Sequence, residues 1–499
     1  MRIGRWVLGL LVLFFFVCFL LRGGIVHDPD FGWHIQTGNH ILKYGIAYYD
    51  PFSYSMPSYP FVDHEWLSNV TWASTYNAWG SIPLLIVYSL FAVGSLLLQV
   101  KIGDKKWASI PFFLAAGTLF EFVGIRTQVM TWFFLSVLLF VLYQPNVWSK
   151  WRFMLPFLFL AWANLHGGFG IGLGVLAIFL IGRLLEEKKA VKETLFILFL
   201  CIVATLINPF GFRLWGEFWS QLTDSNLRWS ITEWYPAIYF MNMAFWIYFM
   251  LSVFLVIRYW KKYTKTEIVL YFLLLLAALS SMRNIPIWVI ASFSLTVRGL
   301  SLLAHEAAKY LYGKERFVIG YRGFFIIAIG FYLPQLAAFF YGAYALHEYQ
   351  HTDPVQAVAY LHKHLPTRQI FSTYDWGGYL IWQLPQKKVF IDGRMPSWRW
   401  DKNIPGESNY AFMEYKNVLT EKESFAWFAA KYHINTLLVP TSDLVPQQTK
   451  IFGIRISQNS WLKKLFFSWK SFYGVVQQAK KMGWRVVYQD NTAVILEQR

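Results

Sequence analysis

The chain has 499 residues, of which 56% are hydrophobic and only 15% are charged. A soluble protein of this length needs more charge on its surface, so the composition excludes an ordinary soluble domain and indicates an integral membrane protein in a lipid bilayer. The net charge of +17 does not indicate a nucleic-acid partner, because the basic residues form short clusters between apolar runs, where they set membrane topology.

The first apolar run (6–21) follows two arginines, as the core of a secretory signal peptide does. Residues 22–28 contain no small-x-small cleavage site, so we expect a retained anchor. A membrane-spanning helix needs about 20 apolar residues, and this rule predicts a polytopic protein of about eleven transmembrane helices at 6–21, 82–100, 107–123, 127–144, 153–166, 169–185, 194–208, 243–257, 267–282, 285–303 and 323–342.

The distribution of lysine and arginine predicts the orientation. With the N-terminus in the cytoplasm, the segments between helices that face inward carry 18 basic residues and those that face outward carry 6. The positive-inside rule therefore predicts a multi-pass protein of the cell membrane with a cytoplasmic N-terminus. Three large regions then lie outside, namely the loop 22–81, the loop 209–242 and the tail from 343 to 499.

The tail has the apolar runs of a folded domain. Its pattern predicts a helix from Pro354 to Leu365 and a turn over residues 489–492. Strands are predicted at 369–372, 388–391, 436–439, 484–488 and 493–497. We therefore expect a transmembrane domain at 1–342 and an extracytoplasmic α/β domain at 343–499.

Acidic and histidine residues cluster at both ends of the first outer loop. One cluster reads His27-Asp28-Pro29-Asp30-Phe31-Gly32-Trp33-His34, and the other reads Asp63-His64-Glu65-Trp66. Both ends of the loop meet one membrane face, so the two clusters are expected to converge there. Such acids act as general bases or bind divalent metals. The alternative is a solvated loop whose acids cap turns.

Isolated basic groups at other outer helix ends are candidates for binding phosphate: Arg126, Arg283, and His166 with its Gly167-Gly168 pair. A planar guanidinium pairs with phosphate oxygens, and paired glycines let backbone amides approach an anion. The alternatives are that the arginines reach lipid headgroups and that His166 is a packing residue.

The tail contains an aromatic and acidic cluster, Tyr374-Asp375-Trp376-Gly377-Gly378-Tyr379, followed by an Asp392-Gly393-Arg394 turn of an ordinary kind. Aromatic rings stack on the C–H faces of sugars, and a carboxylate accepts hydroxyl or amide protons, so Tyr374, Asp375 and Trp376 suit a carbohydrate or peptide acceptor. No Walker loop, dinucleotide fingerprint, zinc spacing or Gly-x-Ser-x-Gly elbow is present, which argues against nucleotide hydrolysis and serine chemistry.

These segments resemble polytopic glycosyltransferases of the GT-C superfold. Asp28-Pro29-x-Phe31 with Trp33-His34 is similar to the Asp-Pro-x-Phe-x-Tyr-Arg segment of oligosaccharyltransferase catalytic subunits. The cluster at 374–379 is similar to a degenerate form of their Trp-Trp-Asp-Tyr-Gly segment. Thr373 and Tyr374 stand where that motif has its two tryptophans, so recognition of an Asn-x-Ser/Thr peptide is not carried over. The sequence looks more like a bacterial relative than a protein N-glycosylating enzyme.

The resemblance implies transfer of a sugar from a polyprenyl-phosphate donor to a glycan, lipid or protein acceptor at the outer face. Asp28, with Asp30, would deprotonate or orient the acceptor, and the basic groups Arg126, His166 and Arg283 would ease departure of the lipid phosphate. A divalent metal (Mg²⁺ or Mn²⁺) would be held by Asp28, Asp30 and Glu65, and His34 and His64 would support the first loop.

A transporter or flippase for lipid-linked glycans, or a non-catalytic assembly component, is the alternative function. Transport favours charges within membrane spans, whereas the charges here gather at the outer helix ends, which favours outer-face chemistry.

Overall fold

The computed structural model describes residues 2–26, 28–186, 191–310, 314–349, 353–446, 450–451, 454–455 and 471–498. The chain is mostly helical, with a small sheet near its C-terminus. In chain order the helices are α1 (Arg2–Ile25), α2 (Phe31–Tyr44), α3 (Trp66–Trp79), α4 (Ile82–Ile102), α5 (Ser109–Leu119), α6 (Gln128–Tyr143), α7 (Pro145–Trp151), α8 (Leu155–Leu165), α9 (Phe169–Glu186), α10 (Val191–Leu206), α11 (Arg213–Thr223), α12 (Ser225–Ser230), α13 (Met243–Arg258), α14 (Lys265–Ser280), α15 (Ile285–Tyr310), α16 (Lys314–Tyr349), α17 (Val355–Lys363), α18 (Gly377–Gln383), α19 (Ala411–Leu419), α20 (Phe425–Lys431) and α21 (Tyr473–Lys481).

Each of the eleven predicted apolar segments coincides with a helix, from α1 to α16. In the described part of the chain, four helices are long and apolar enough to cross a bilayer on their own, and a fifth candidate span is a pair of helices bent by 108°. The four are Trp6–Ile25, Ile82–Ile102, Met282–Ala307 and Tyr321–Gly342, and the bent pair is Gln128–Tyr143 with Pro145–Leu165. The count of eleven crossings stays a prediction, because several of the helices are shorter than a bilayer requires.

The segment 22–81, predicted to be an outer loop and called the first outer region below, is not an extended loop. It contains two helices, α2 and α3, whose backbones touch where Gly38 meets the carbonyl oxygen of Asn69, so that a Cβ atom at position 38 would clash. Glycine is needed there to let the helices approach so closely. The helices carry the two acidic clusters toward each other; His27 lies outside the described residues.

The C-terminal sheet has the strand order β1–β2–β6–β5. Strands β1 (Gln369–Ser372) and β2 (Ile434–Pro440) are parallel, and β6 (Ala493–Glu497) pairs antiparallel with both β2 and β5 (Arg485–Gln489). A separate short hairpin joins β3 (Lys450–Ile451) and β4 (Ile454–Arg455). The predicted turn forms between β5 and β6, where Asp490 Oδ1 accepts the backbone N–H groups of Thr492 and Ala493.

Side chains of the central strands β2 and β6 alternate between the two faces of the sheet and contribute to two separate apolar cores. Leu437, Val439, Val494 and Leu496 pack with α19, α20 and α21, whereas Leu438, Ala493 and Ile495 pack with α17 and α18. Successive residues of a strand point to opposite faces, so a continuous apolar run is buried on both sides.

The predicted strand at 388–391 is wrong. Val389 forms only an isolated bridge with Ser53, flanked by hydrogen bonds from Tyr54 N to Val389 O and from Val389 N to Phe52 O. The segment therefore pairs with the first outer region instead of joining the sheet, and it ties that region to the tail. The predicted domain boundary at residue 342 lies inside α16 (Lys314–Tyr349).

Candidate active site

The acidic motif of the first outer region and the aromatic motif of the tail are in direct contact. A Cβ atom at Gly32 would clash with the carbonyl oxygen of Gly378, and a Cβ atom at Gly378 would clash with the carbonyl oxygen of Pro29. Only glycine at both positions permits this approach of α2 to α18. Two motifs that are distant in sequence therefore form one wall.

A cavity of about 330 Å³ opens at this wall. Most of the residues singled out from the sequence line it, namely Asp28, Asp30, His34, His64, Glu65, Arg126, Arg283, Tyr374 and Asp375. His166 and Trp376 are not among its lining residues. Trp376 is 6% exposed and belongs to the apolar core on the α17 and α18 side of the sheet, so it supports the wall.

Asp28 is bound to a guanidinium. Arg126 Nε forms an ion pair with Asp28 Oδ2, and its Nη2 forms another with Glu233 Oε1. Burial lowers the pKa of Arg126, but Asp28 and Glu233 outweigh this effect and raise it above its ordinary value. Burial likewise raises the pKa of Glu233, yet Arg126 and Arg283 bring it down to about 2. Arg126 and Glu233 are therefore charged together.

Asp30 differs from its neighbour in both contacts and protonation. Its Oδ1 accepts a hydrogen bond from Trp33 Nε1 at 2.9 Å, and its carboxyl group lies against Gly393. Burial, followed by the charge of Asp28, raises the pKa of Asp30 to about 8. Asp30 is thus mainly neutral at pH 7, and Asp28 is the better candidate for accepting a proton.

Glu65 lines the cavity and lies among three imidazoles. The Nε2 atoms of His34, His64 and His166 are 3.6, 3.6 and 3.4 Å from its carboxylate oxygens. Thr127 Oγ1 donates a hydrogen bond to Glu65 Oε1 at 2.8 Å. Burial raises the pKa of Glu65 and lowers the pKa values of His34 and His64.

In His34 and His166, Nδ1 is the ring nitrogen that faces away from Glu65. Its hydrogen bonds indicate which nitrogen of each ring carries the proton. Asn69 Nδ2 donates to Asp63, which turns Asn69 Oδ1 toward His34 Nδ1 at 2.5 Å. His166 Nδ1 accepts from the backbone N–H of Gly168, and its Nε2 has no hydrogen-bond partner in the described residues. His34 therefore carries its proton on Nδ1 and His166 on Nε2, facing Glu65.

Arg283 is the cavity cation that remains available. Its guanidinium carbon lies 5.4 Å from the ring centre of Trp234, and no ion pair holds it within the part of the chain that the structure describes. The three predicted phosphate ligands therefore have different surroundings. Arg283 faces the cavity without an ion pair among the described residues, Arg126 is held by two carboxylates, and His166 lies behind Glu65.

The cavity residues that reasoning from sequence missed include two that form ion pairs, Glu233 and Arg394. Glu233 lies in the segment 209–242, called the second outer region below, for which the sequence predicts only a large loop. Arg394 lies in the turn considered ordinary, but its guanidinium binds Asp50 at 2.9 Å and Asp392 at 2.7 and 2.8 Å. A signal for Arg394 was its placement beside Asp392 after an apolar run, since a buried arginine needs acidic partners.

The predicted metal set does not fit a metal ion. Asp28 Oδ1 accepts the backbone N–H of Asp30 at 2.8 Å and its Oδ2 is paired with Arg126, while Asp30 and Glu65 accept from Trp33 and Thr127. In the described residues, no group of three or more His, Cys, Asp or Glu side chains is arranged to hold a metal ion. The three carboxylates serve different protein donors instead of converging.

Comparisons with known proteins bear on the fold. No protein-family model matches the chain, and no curated protein matches it. The structure is similar to archaeal oligosaccharyltransferase AglB from Archaeoglobus fulgidus, solved with an inhibitory peptide and a dolichol-phosphate (TM-score 0.58, 11% identity, 88% of this chain and 69% of that chain). It is also similar to the crystal structure of the Archaeoglobus fulgidus oligosaccharyltransferase with Zn and sulfate (TM-score 0.54, 10% identity, 87% and 68%). At this identity the likeness shows the fold, and it confirms the resemblance to the GT-C superfold.

Proposed function

We propose that the protein is a membrane glycosyltransferase that transfers a sugar from a polyprenyl-phosphate donor to an acceptor. The observation that carries this proposal is the meeting of Asp28, Arg283 and the aromatic motif of the tail at one cavity. The fold supports it, because a solved structure with the same fold contains a dolichol-phosphate and a peptide. These ligands belong to that protein, and their counterparts here are part of the proposal.

The reaction joins the acceptor to the sugar and releases the lipid phosphate. A hydroxyl or amide group of the acceptor attacks C1 of the sugar, and the bond from C1 to the phosphate oxygen breaks, leaving its electron pair on the phosphate. Asp28 takes the proton of the attacking group, and Arg283 offsets the charge that develops on the departing phosphate. Asp30 orients the acceptor through its neutral carboxyl group.

The acceptor side of the cavity is assigned to the tail. Tyr374 and Asp375 line the cavity beside Asp30 and can contact a bound glycan, lipid headgroup or protein. The side chain of Trp376 is buried, so we assign it a structural role. The ring of His34 stacks on Trp33 with 3.7 Å between ring centres. We assign this pair a supporting role in the cavity wall, which both residues line.

We infer that the site lies at the outer face of the cell membrane. The excess of basic residues in the predicted inward segments supports a cytoplasmic N-terminus, with the transmembrane domain predicted at 1–342 and the extracytoplasmic domain at 343–499. A lipid-linked donor would then keep its chain among the helices while its phosphate and sugar reach the cavity.

The test is sugar transfer by the purified full-length protein. Wild-type protein is incubated with a panel of polyprenyl-phosphate sugars, and sugar release and transfer are measured beside the variants Asp28→Asn and Asp401→Asn. Asp401 is exposed in the tail and serves as the matched control for loss of an acidic charge. We expect Asp28→Asn to lower the rate by about 10²- to 10⁴-fold and Asp401→Asn to leave it unchanged.

A protein doubly substituted with Asp28→Asn and Asp30→Asn that transfers sugar at the wild-type rate would contradict the catalytic assignment. Movement of the donor across vesicle bilayers without sugar release would instead favour the flippase alternative.

A further inference from the structure

The guanidinium of Arg126 lies between two carboxylates and is the cation that pairs with both. Its Nε faces Asp28 and its Nη2 faces Glu233, and Gln128 Nε2 reaches the second oxygen of Glu233 at 3.4 Å. Asp28 comes from the first outer region, Arg126 from the turn before α6 and Glu233 from the second outer region. The guanidinium thus joins three separate segments at the cavity wall.

Within the described residues, the other two acids of the predicted metal set offer no second place for a cation. Asp30 is turned toward Trp33 and packed on Gly393, and Glu65 is held by Thr127 with its two oxygens facing imidazoles. A divalent ion needs several oxygen ligands around one point, at about 2.0–2.6 Å for Mg²⁺ and Ca²⁺. To bind one here, Asp28 would have to exchange Arg126 for the ion.

We propose that Arg126 is the built-in cation of this site, and that it offsets the charge of Asp28 and Glu233 in place of a divalent metal. This inference rests on the proposed function for its role in sugar transfer, but not for its effect on metal binding. A phosphate donor carries negative charge, and two uncompensated carboxylates at the cavity wall would repel it. A guanidinium keeps its positive charge at all working pH values, and its planar fork reaches two carboxylates at once.

Two of the three arginines that line the cavity, Arg126 and Arg283, have different roles. Arg126 is a positioning residue, because it acts through Asp28 and is committed to protein carboxylates. Arg283 faces the cavity without an ion pair in the described residues and is the group that meets the donor phosphate. Loss of Arg126 should therefore change metal binding, whereas loss of Arg283 should not.

The experiment measures binding of Mn²⁺ to the full-length protein in detergent after metals are removed by chelation. The electron paramagnetic resonance signal of free Mn²⁺ is followed for the wild type and for Arg126→Gln, Arg126→Lys and Arg228→Gln. Arg228 is exposed on α12 and is the matched control for loss of an outer arginine. We expect one bound Mn²⁺ for Arg126→Gln, lost again when Asp28→Asn is added, and none for the other three proteins.

Sugar transfer gives the second measurement. We expect the wild-type rate to be unchanged by chelation, and the low rate of Arg126→Gln to be raised by Mn²⁺. Stoichiometric Mn²⁺ binding by the wild type that Asp28→Asn removes would overturn the proposal, as would a folded Arg126→Gln protein that gains no affinity for Mn²⁺. If no sugar is transferred under any condition, the proposed function fails, but the Mn²⁺ titration still decides the role of Arg126.

Discussion

The carboxyl group of Asp30 lies against the Cα atom of Gly393, so closely that any side chain at position 393 would clash with it. This contact joins the first outer region to the C-terminal domain inside the candidate site. We expect Gly393→Ala to displace Asp30 and to cost about 1–3 kcal/mol of stability. Thermal unfolding and sugar transfer check this prediction, with Gly216→Ala as the control, because a Cβ atom at Gly216 has no neighbour within 4 Å.

Asp30 and Asp28 should respond differently to replacement by asparagine. Asp30 has a pKa of about 8 because it is buried beside Asp28, so asparagine resembles its neutral form at pH 7. We expect Asp30→Asn to keep most of the activity at pH 7, whereas Asp28→Asn loses about 10²-fold or more. Equal losses in the two variants, measured as initial rates of transfer, would contradict the division of roles.

Protonation of Asp30 also predicts a dependence of stability on pH. An unfolded aspartate ionises near pH 3.8, whereas folded Asp30 keeps its proton up to about pH 8. Between these values the folded protein binds the extra proton, so stability from this group is lost as the pH rises from about 4 to 8. The difference in melting temperature between Asp30→Asn and the wild type should therefore grow in favour of the variant from pH 5 to pH 8. A constant difference would show that Asp30 ionises normally.

Arg283 should act on the donor phosphate. Hydrogen bonds to charged groups contribute about 1.5–3 kcal/mol, so we expect Arg283→Gln to lower kcat/KM for the donor by about 10- to 100-fold. Arg283→Lys should recover part of this loss, because it keeps the charge but not the planar fork. The measurement is donor saturation kinetics at two ionic strengths, with Arg228→Gln as the control, and an unchanged kcat/KM for Arg283→Gln would exclude the assignment.

The sequence predicted the parts of this molecule that depend on local pattern. The apolar runs of membrane length are helices because their backbone groups must be paired within the segment in lipid. The short continuous apolar run at 493–497 is a strand buried on both faces. Contacts between distant segments were not accessible in this way. Val389 lies in a run with strand character but pairs with Ser53, and the short polar helices α2 and α3 gave no apolar run of membrane length.

In the candidate site, too, the sequence indicated individual residues but not their contacts with distant segments. Asp28, Asp30 and Glu65 could be chosen from their residue types and their place near helix ends, and they do approach one cavity. Their partners could not be chosen, because an ion pair such as that of Arg126 with Glu233 depends on how the second outer region folds back. The predicted metal set shows this limit, because Asp28 is paired with Arg126 in the structure, a contact that the sequence did not indicate.

The ion pairs of Arg394 with Asp50 and Asp392 join the C-terminal domain to the first outer region, and we expect them to contribute strongly to stability. Arg394 binds Asp50 and Asp392 with only 2% of its side chain exposed, and the rings of Phe52 and Trp398 lie 5.1 and 5.4 Å from its guanidinium carbon. Removal of one partner from a buried pair leaves an uncompensated charge, which costs about 3–5 kcal/mol. We therefore expect Arg394→Met to lower the melting temperature strongly.

Arg399 provides the matched control for this change. Its ion pair with Asp224 also links the tail to an outer region, but 42% of its side chain is exposed, and pairs in contact with water contribute about 0–1 kcal/mol. Arg399→Met should therefore unfold close to the wild-type temperature. If Arg394→Met were equally mild, Asp50 and Asp392 would have to be neutralised in another way, and the attachment of the tail would depend on the glycine contacts of α2 and α18 instead.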